Sequence, residues 1–307
     1  MKKIIFLLSI LFISCETQKS EIIDLFNAEN NPNVSCYRIP SIITAVNGDL
    51  IAMIDERVPS CGDLKWSRDI NIVMRKSFDN GKTWTDIETV VDYPLGQSAS
   101  DPSMILDEKN NTIFMFYNYM DLDNEKDIYH LRYKKSVDNG KSWSSLKVIW
   151  DDGGNTCGNP SPVMDKKSGR ISLLATWNRG EDKEWQIIDQ KSIDTRHVYL
   201  IHSNDNGESW TNPKEITSDV KLDSWTWYAT GPVNGIQLKK GPNKERLIIP
   251  CDHIEADTKH YYSHIIYSDD GGLNWNLGGS TKQHQVNECT IIEFKNGDLL
   301  LNMRNYT

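Results

Sequence analysis

A four-position pattern, Ser-x-Asp-x-Gly-x-x-Trp, recurs four times in this chain, at Ser77 to Trp84, Ser136 to Trp143, Ser203 to Trp210 and Ser268 to Trp275. Its regular spacing, roughly 60 to 70 residues, marks a chain assembled from repeated units. Each copy reads as a tight turn. The Asp bonds nearby backbone N–H groups, the Gly supplies a positive φ, and the Trp folds back as an apolar plug. The pattern is therefore structural; without dense oxygen ligands and a distal Glu it does not make a calcium loop.

A second repeat lies between these turns. The segments YRIPSIITAVNGDLIAMIDER, DPSMILDEKNNTIFMFYNY, NPSPVMDKKSGRISLLATW, GPVNGIQLKKGPNKERLIIPCDH and NECTIIEFKNGDLLLNMRNY each set two runs of β-formers around a Gly, Asn or Lys turn. Adding the strand that enters each Ser-x-Asp turn and the strand that leaves it gives about four antiparallel strands per unit, which is one propeller blade. The abundance of 10 Trp and 12 Tyr suits such sheets. Counting predicts an all-β propeller domain over 34–307 with four blades and the opening hairpin of a fifth. Because a propeller closes to remove its sheet edges, the expectation is a C-terminally incomplete domain.

Residues 1–15, MKKIIFLLSILFISC, place two lysines before an apolar run too short to span a bilayer, which reads as an export signal. Phe12 to Cys15 is similar to a bacterial lipobox, so Cys15 is the expected lipidation site, with a plain cleaved signal as the alternative. The chain is then expected in the periplasm or at the cell surface, touching membrane only through that anchor. Five cysteines remain, with no CxxC spacing, so no metal site or dense disulfide framework is expected; a bridge such as Cys36 to Cys61 is left open. A net charge of -9 argues against nucleic acid as a partner. It leaves a small anionic ligand open, because screening over about 8 Å lets a few local arginines decide what a pocket binds.

The four turns together with Tyr37-Arg38-Ile39-Pro40 resemble the sialidase (neuraminidase) superfamily, whose members carry an Arg-Ile-Pro motif on the first blade and repeated aspartate boxes. TCGNPSPV at Thr156 to Val163, WTWYATGP at Trp225 to Pro232, and NEC followed by LNMRNY between Asn287 and Tyr306 are similar to family segments in family order. The resemblance implies a six-bladed β-propeller and an exo-α-sialidase that releases terminal sialic acids from glycoproteins, glycolipids and oligosaccharides with retention. It implies no cofactor, sialylated glycans as partners, and a monomer. Arg38 and Arg304 would be two of three arginines that bind the substrate carboxylate bidentately, the third lying beyond Thr307. In DERVPSCGDLKWSRD it implies Arg57 as a sugar contact and Asp63 as the acid, with Asp55, Glu56 and Asp69 as neighbouring competitors.

Glu288 of NEC matches the family glutamate that polarises a tyrosine nucleophile. A neutral phenol avoids the repulsion that a carboxylate would meet from the substrate's own carboxylate. That tyrosine is expected after the third arginine, and Tyr306 lies in the wrong segment for the role. Asp101 of SASDPSM resembles an aspartate near the sugar 4-position. Glu184, Trp177, Trp227 and His253 are further candidates for the glycerol and N-acetyl subsites, with aromatic packing as the competing reading for the tryptophans. Two other functions fit the same residues: a trans-sialidase, and a propeller that binds sialoglycans without hydrolysing them.

Overall fold

The computed structural model describes residues 22–124 and 128–306. The expected signal segment and Cys15 lie outside the described residues. Every one of the predicted hairpins is present. The first sheet is β1 (Cys36–Thr44), β2 (Leu50–Arg57), β3 (Ile70–Ser77) and β4 (Glu88–Val91), paired antiparallel in that order. The second is β5 (Gln97–Asp107), β6 (Thr112–Asp121), β7 (Tyr129–Ser136) and β8 (Lys147–Trp150). The third is β9 (Asn155–Met164), β10 (Ile171–Arg179), β11 (His197–Ser203) and β12 (Lys214–Glu215). One parallel bridge, Tyr129 to Thr156, links the second sheet to the third.

In the fourth sheet β13 (Trp225–Thr230) and the short β14 (Ile236–Gln237) both pair with β15 (Leu247–Glu255), which is followed by β16 (Tyr261–Ser268) and β17 (Asn276–Ser280). The hairpin of β18 (Val286–Glu293) and β19 (Leu299–Asn305) ends the series. Two short helices, α1 (Glu184–Ile188) and α2 (Thr217–Val220), interrupt the pattern; no helix among the described residues is long and apolar enough to cross a membrane. Consecutive first strands stand side by side, β1 with β5, β5 with β9 and β9 with β13. No strand pairing among the described residues joins β19 to β1, and the two flank an apolar cleft of about 890 Å³.

Each apolar cluster lies between neighbouring sheets. Ile51, Met53 and Met74 of the first meet Met104, Ile113 and Met115 of the second, and Phe114 and Phe116 meet Leu173 and Ile201 of the third. Strands covered on both faces carry near-continuous buried runs, which is why β6 reads TIFMFYNYM without alternation. The Ser-x-Asp turns lock this stacking. In the first copy the Gly81 N–H donates to Ser77 Oγ at 2.8 Å, and the Thr83 N–H and hydroxyl donate to the Asp79 carboxylate at 2.8 and 2.7 Å. The backbone N–H bond to the carboxylate recurs at Asp138, Asp205 and Asp270, with a serine hydroxyl as second donor in the first two and the Asn274 amide in the last. The bonds from Thr83 hold the Asp79 carboxyl at a pKa of about 2.

Two consecutive left-handed residues make each turn possible, Asn80-Gly81, Asn139-Gly140, Asn206-Gly207 and Gly271-Gly272. The turn then seats its Trp on the preceding sheet. Trp143 packs against the cluster holding Ile51 and Met74, Trp210 lies 5.7 Å from Phe116, and Trp275 is buried with Val163 and Leu174. Trp84, in the first copy, is only half-buried.

This difference sets an expected outcome. Trp275→Ala should cost about 3–5 kcal/mol, read as a lower urea midpoint with unchanged m-value, and Trp84→Ala less than about half of that. Equal losses would mean that the tryptophans do not act through the sheet-to-sheet contact.

Candidate active site

The inner strand of every sheet carries the same irregularity: two residues face one on the partner strand. Ile39-Pro40 oppose Ile54, Asp101-Pro102 oppose Tyr117, and Asn159-Pro160 oppose Ala175. Thr226-Trp227 oppose Ile254, and Asn287-Glu288 oppose Arg304. Such a bulge turns a side chain out of the pleat. In the first three the leading residue takes a left-handed backbone, with φ 56° at Ile39, 60° at Asp101 and 53° at Asn159, and proline follows without a ladder N–H to lose. All five bulges point into one cavity of about 310 Å³, lined by Ile39, Asp101, Asn159, Trp227, Asn287 and Glu288.

Arg38, Asp63, Asp101, Glu288 and Arg304, scattered in sequence, thus line one cavity. Arg38 Nη1 lies 3.6 Å from Asp63, whose side chain is 58% exposed, and Arg304 Nη1 donates to Glu288 Oε2 at 2.9 Å. Arg57 does not line the cavity. Its side chain is wholly buried behind Asp63, with Nη1 2.9 Å from Asp63 Oδ1 and Nη2 donating to Asp55 Oδ2 at 3.1 Å. The chain continues inward, since the Asp101 N–H donates to Asp55 Oδ1 at 2.9 Å. Alternation along β2 explains the placement, because Asp55 and Arg57 share one face while Glu56 turns to the Tyr37 hydroxyl. Of the four acids that compete in this segment, Asp55, Glu56, Asp63 and Asp69, only Asp63 reaches the cavity.

The loop carrying Asp63 is tied down at several points. A disulfide joins Cys61 to Cys36 on β1, Ser60 Oγ donates to the Trp66 carbonyl at 2.8 Å, and Ser67 Oγ donates to the Ser60 carbonyl at 3.1 Å. Cys157, Cys251 and Cys289 are buried and free.

Across the cavity stands a wall that sequence reasoning missed. Arg196, buried, donates to Asn178 at 2.9 Å, to Asn159 at 2.5 Å and to Thr176 at 2.7 Å, and its guanidinium lies 3.9 Å over the Trp227 ring. Burial lowers its pKa to about 10. Nothing in DTRHVY marks Arg196, whereas the recurring x-Pro pairs could have flagged Asn159 beside Asp101. Asp252, on β15, also lines the wall with a buried, unbonded Oδ1. Glu184 and Trp227 reach the cavity; Trp177 and His253 do not, the first packing on the core and the second stacking 3.4 Å from Trp225. Tyr306 does reach it, its hydroxyl accepting from Asn287 Nδ2 at 3.0 Å, and burial raises its pKa.

Burial alters the charge of several groups that face the cavity. Burial pushes the carboxyls of Asp101 and Asp252 well above the usual carboxylate range, reinforced at Asp101 by Asp55 and at Asp252 by Glu288. Two acids that face the cavity are thereby turned toward the neutral form. Asp55, deeper still, is raised to about 7 by burial, against the opposing pull of Arg57.

Two family models match the chain, both described as BNR repeat-like domains, over residues 143–307 and 39–156. A sialidase of Bacteroides fragilis is 25% identical over 277 residues, covering 89% of this chain and 40% of the relative. Sialidase-3 of Homo sapiens is 29% identical over 210 residues, covering 62% of this chain and 48% of the relative. The chain thus spans less than half the length of either. The solved NanB sialidase of Streptococcus pneumoniae superposes with a TM-score of 0.61 at 13% identity, over 85% of this chain and 55% of that one, a likeness of fold.

The buried acids set an expected pH dependence. Their folded pKa values are raised, so the stabilisation they give is complete below the unfolded value, near pH 4, and is lost as pH climbs through about 7 for Asp55 and through the raised value of Asp101. Asp101→Asn should make the fall in thermal midpoint between pH 5 and pH 9 shallower than in the wild type. An unchanged slope would contradict the assignment.

Proposed function

The chain belongs to the family of BNR repeat-like domains, within the sialidase/BNR-repeat superfamily, and from that premise we propose that it is an exo-α-sialidase built on a six-bladed propeller. Its substrates are terminal α-linked sialic acids of glycoproteins, glycolipids and oligosaccharides, cleaved with retention after export from the cell. The observation that carries this reading is that two arginines, Arg38 and Arg304, line one small polar cavity together with the exposed carboxylate of Asp63. A carboxylate on the anomeric carbon is what two planar guanidinium groups recognise.

In the proposed reaction the ligand carboxylate competes with Asp63 for Arg38, the longer of the two contacts Asp63 makes. Asp63, kept in place from behind by Arg57, gives a proton to the departing glycosidic oxygen. Asp101, with its carboxyl bonded by Asn118 at 2.5 Å, faces the sugar ring. Glu288, paired with Arg304, is the residue assigned to polarise a tyrosine nucleophile. Tyr306 is a poor candidate for that nucleophile, since its hydroxyl is bonded to Asn287 rather than Glu288 and its pKa is raised. A propeller that holds sialoglycans without cleaving them uses the same two arginines and is the second reading.

Asp63→Ala separates these possibilities when tested on two leaving groups. As the acid, its loss should lower kcat/KM for a natural sialoside by about 10²- to 10⁴-fold, and much less for an aryl sialoside, whose phenolate departs without a full proton. Equal losses on both would remove Asp63 from the acid role. Saturable binding of the sialoside by the wild type with no release of free sialic acid would favour the second reading.

A further inference from the structure

The disulfide between Cys36 and Cys61 joins the strand that carries Arg38 to the loop that carries Asp63. Cys36 opens β1 two residues before Arg38, and Cys61 stands two residues before Asp63. This covalent link therefore runs beside a polar one, the 3.6 Å contact between Arg38 Nη1 and Asp63 Oδ1. In the proposed reaction the ligand carboxylate takes Arg38, so the polar link opens at the moment Asp63 has to stay in place. The disulfide is then the tie from β1 that keeps the loop at the cavity. The loop passes this constraint on as one piece. A Cβ on Gly62 would lie 2.6 Å from the Trp66 carbonyl oxygen, Ser60 Oγ donates to that same carbonyl at 2.8 Å, and Arg57 Nη1 donates to the Gly62 carbonyl at 2.9 Å, so a shift of Cys61 carries Asp63 with it.

We propose that Cys36 and Cys61 are positioning residues for Asp63, and that their disulfide makes the proton-donating step of this site sensitive to reduction by a dithiol in solution. This rests on the sialidase reading, in which Asp63 is the acid and Arg38 takes the ligand carboxylate. Cys61 is exposed and Cys36 half-buried, so a thiolate of the dithiol attacks the Cys61 sulfur. The S–S bond breaks with its electron pair on Cys36, which takes up a proton; the second thiol of the reagent then displaces Cys61 and closes the oxidised cyclic dithiol, leaving two protein thiols. Cys157, Cys251 and Cys289 stay out of the exchange, because they are buried and burial raises the pKa of each thiol. The reduced loop keeps its base, where the Val58 N–H donates to the Asp69 carbonyl at 3.1 Å, and its bond from Ser67 Oγ to the Ser60 carbonyl at 3.1 Å. What it loses is its covalent register with β1, and a misplacement of about 1 Å at a reacting group is enough to slow a reaction about 100-fold.

The test is a steady-state assay of the whole chain on a natural and an aryl sialoside, before reduction, after treatment with dithiothreitol, and after reoxidation. Mass mapping of alkylated cysteines shows when Cys36 and Cys61 are open, and circular dichroism shows that the sheets persist. Reduction should lower kcat for the natural sialoside by about 10- to 100-fold and leave the aryl sialoside nearly unchanged, since its phenolate departs without a full proton. Reoxidation should restore the loss, and the double variant Cys36→Ser, Cys61→Ser should match the reduced protein. Equal losses on both substrates would mean that the disulfide serves the fold alone, and an unchanged rate on the natural sialoside would mean that Asp63 keeps its place without it; either overturns the positioning role. An oxidised wild type that cleaves neither substrate overturns the sialidase reading itself, and the positioning role with it.

Discussion

The cavity depends on one backbone device, two residues set against one at the same level of five successive inner strands. An unbroken ladder would turn alternate side chains toward the neighbouring sheets, where the apolar clusters already fill the space. The bulge releases one side chain per sheet toward the centre. It carries strain, because Ile39 is β-branched and sits at φ 56°, a conformation that costs roughly 1–3 kcal/mol and persists only where the surroundings enforce it. The surroundings here are the stacked sheets, each locked to the one before by the tryptophan of a Ser-x-Asp turn. Stacking, bulge and cavity are thus one causal sequence, and loosening the stack would also release the groups that face the cavity.

Electrostatics decide what that cavity admits. In a chain of net charge -9, Arg38 and Arg304 are presented to the cavity, and burial drives Asp101 and Asp252 toward their neutral forms. Behind them the sequence of contacts from Asp101 through Asp55 and Arg57 to Asp63 carries the order of the buried layer out to an exposed carboxylate. Arg57 therefore reaches the cavity only through Asp63, whereas the family resemblance implied a direct sugar contact.

Much of this was legible in the chain itself. The hairpins announced themselves through β-formers around Gly and Asn, and the turns through a pattern whose every residue has a local job, Ser77 and Asp79 bonding the loop backbone and Asn80-Gly81 supplying the left-handed pair. Arg38, Asp63, Glu288 and Arg304, which line one cavity, could be singled out because each sits in a short segment with a distinctive neighbourhood. Arg196 and Asp252 could not, because one immediately precedes β11 and the other lies within β15, where a charged residue beside β-formers has no local mark and only tertiary packing brings it inward. The pairing of Cys36 with Cys61 was open among five cysteines for the same reason, since it depends on how the Asp63 loop folds back over β1. Trp177 and His253 illustrate the opposite error, aromatic residues near the right segments whose rings are consumed by packing.

The central claim is that Arg38 and Arg304 form a carboxylate clamp on a bound sialic acid. The most direct test is a crystal structure of the protein soaked with free sialic acid. The carboxylate is expected between the two guanidinium groups, with paired N–H to O contacts of about 2.7–2.9 Å and Asp63 displaced from Arg38. A sugar seated with its carboxylate on Arg196, or found outside the cavity with the Arg38 to Asp63 contact intact, would contradict it.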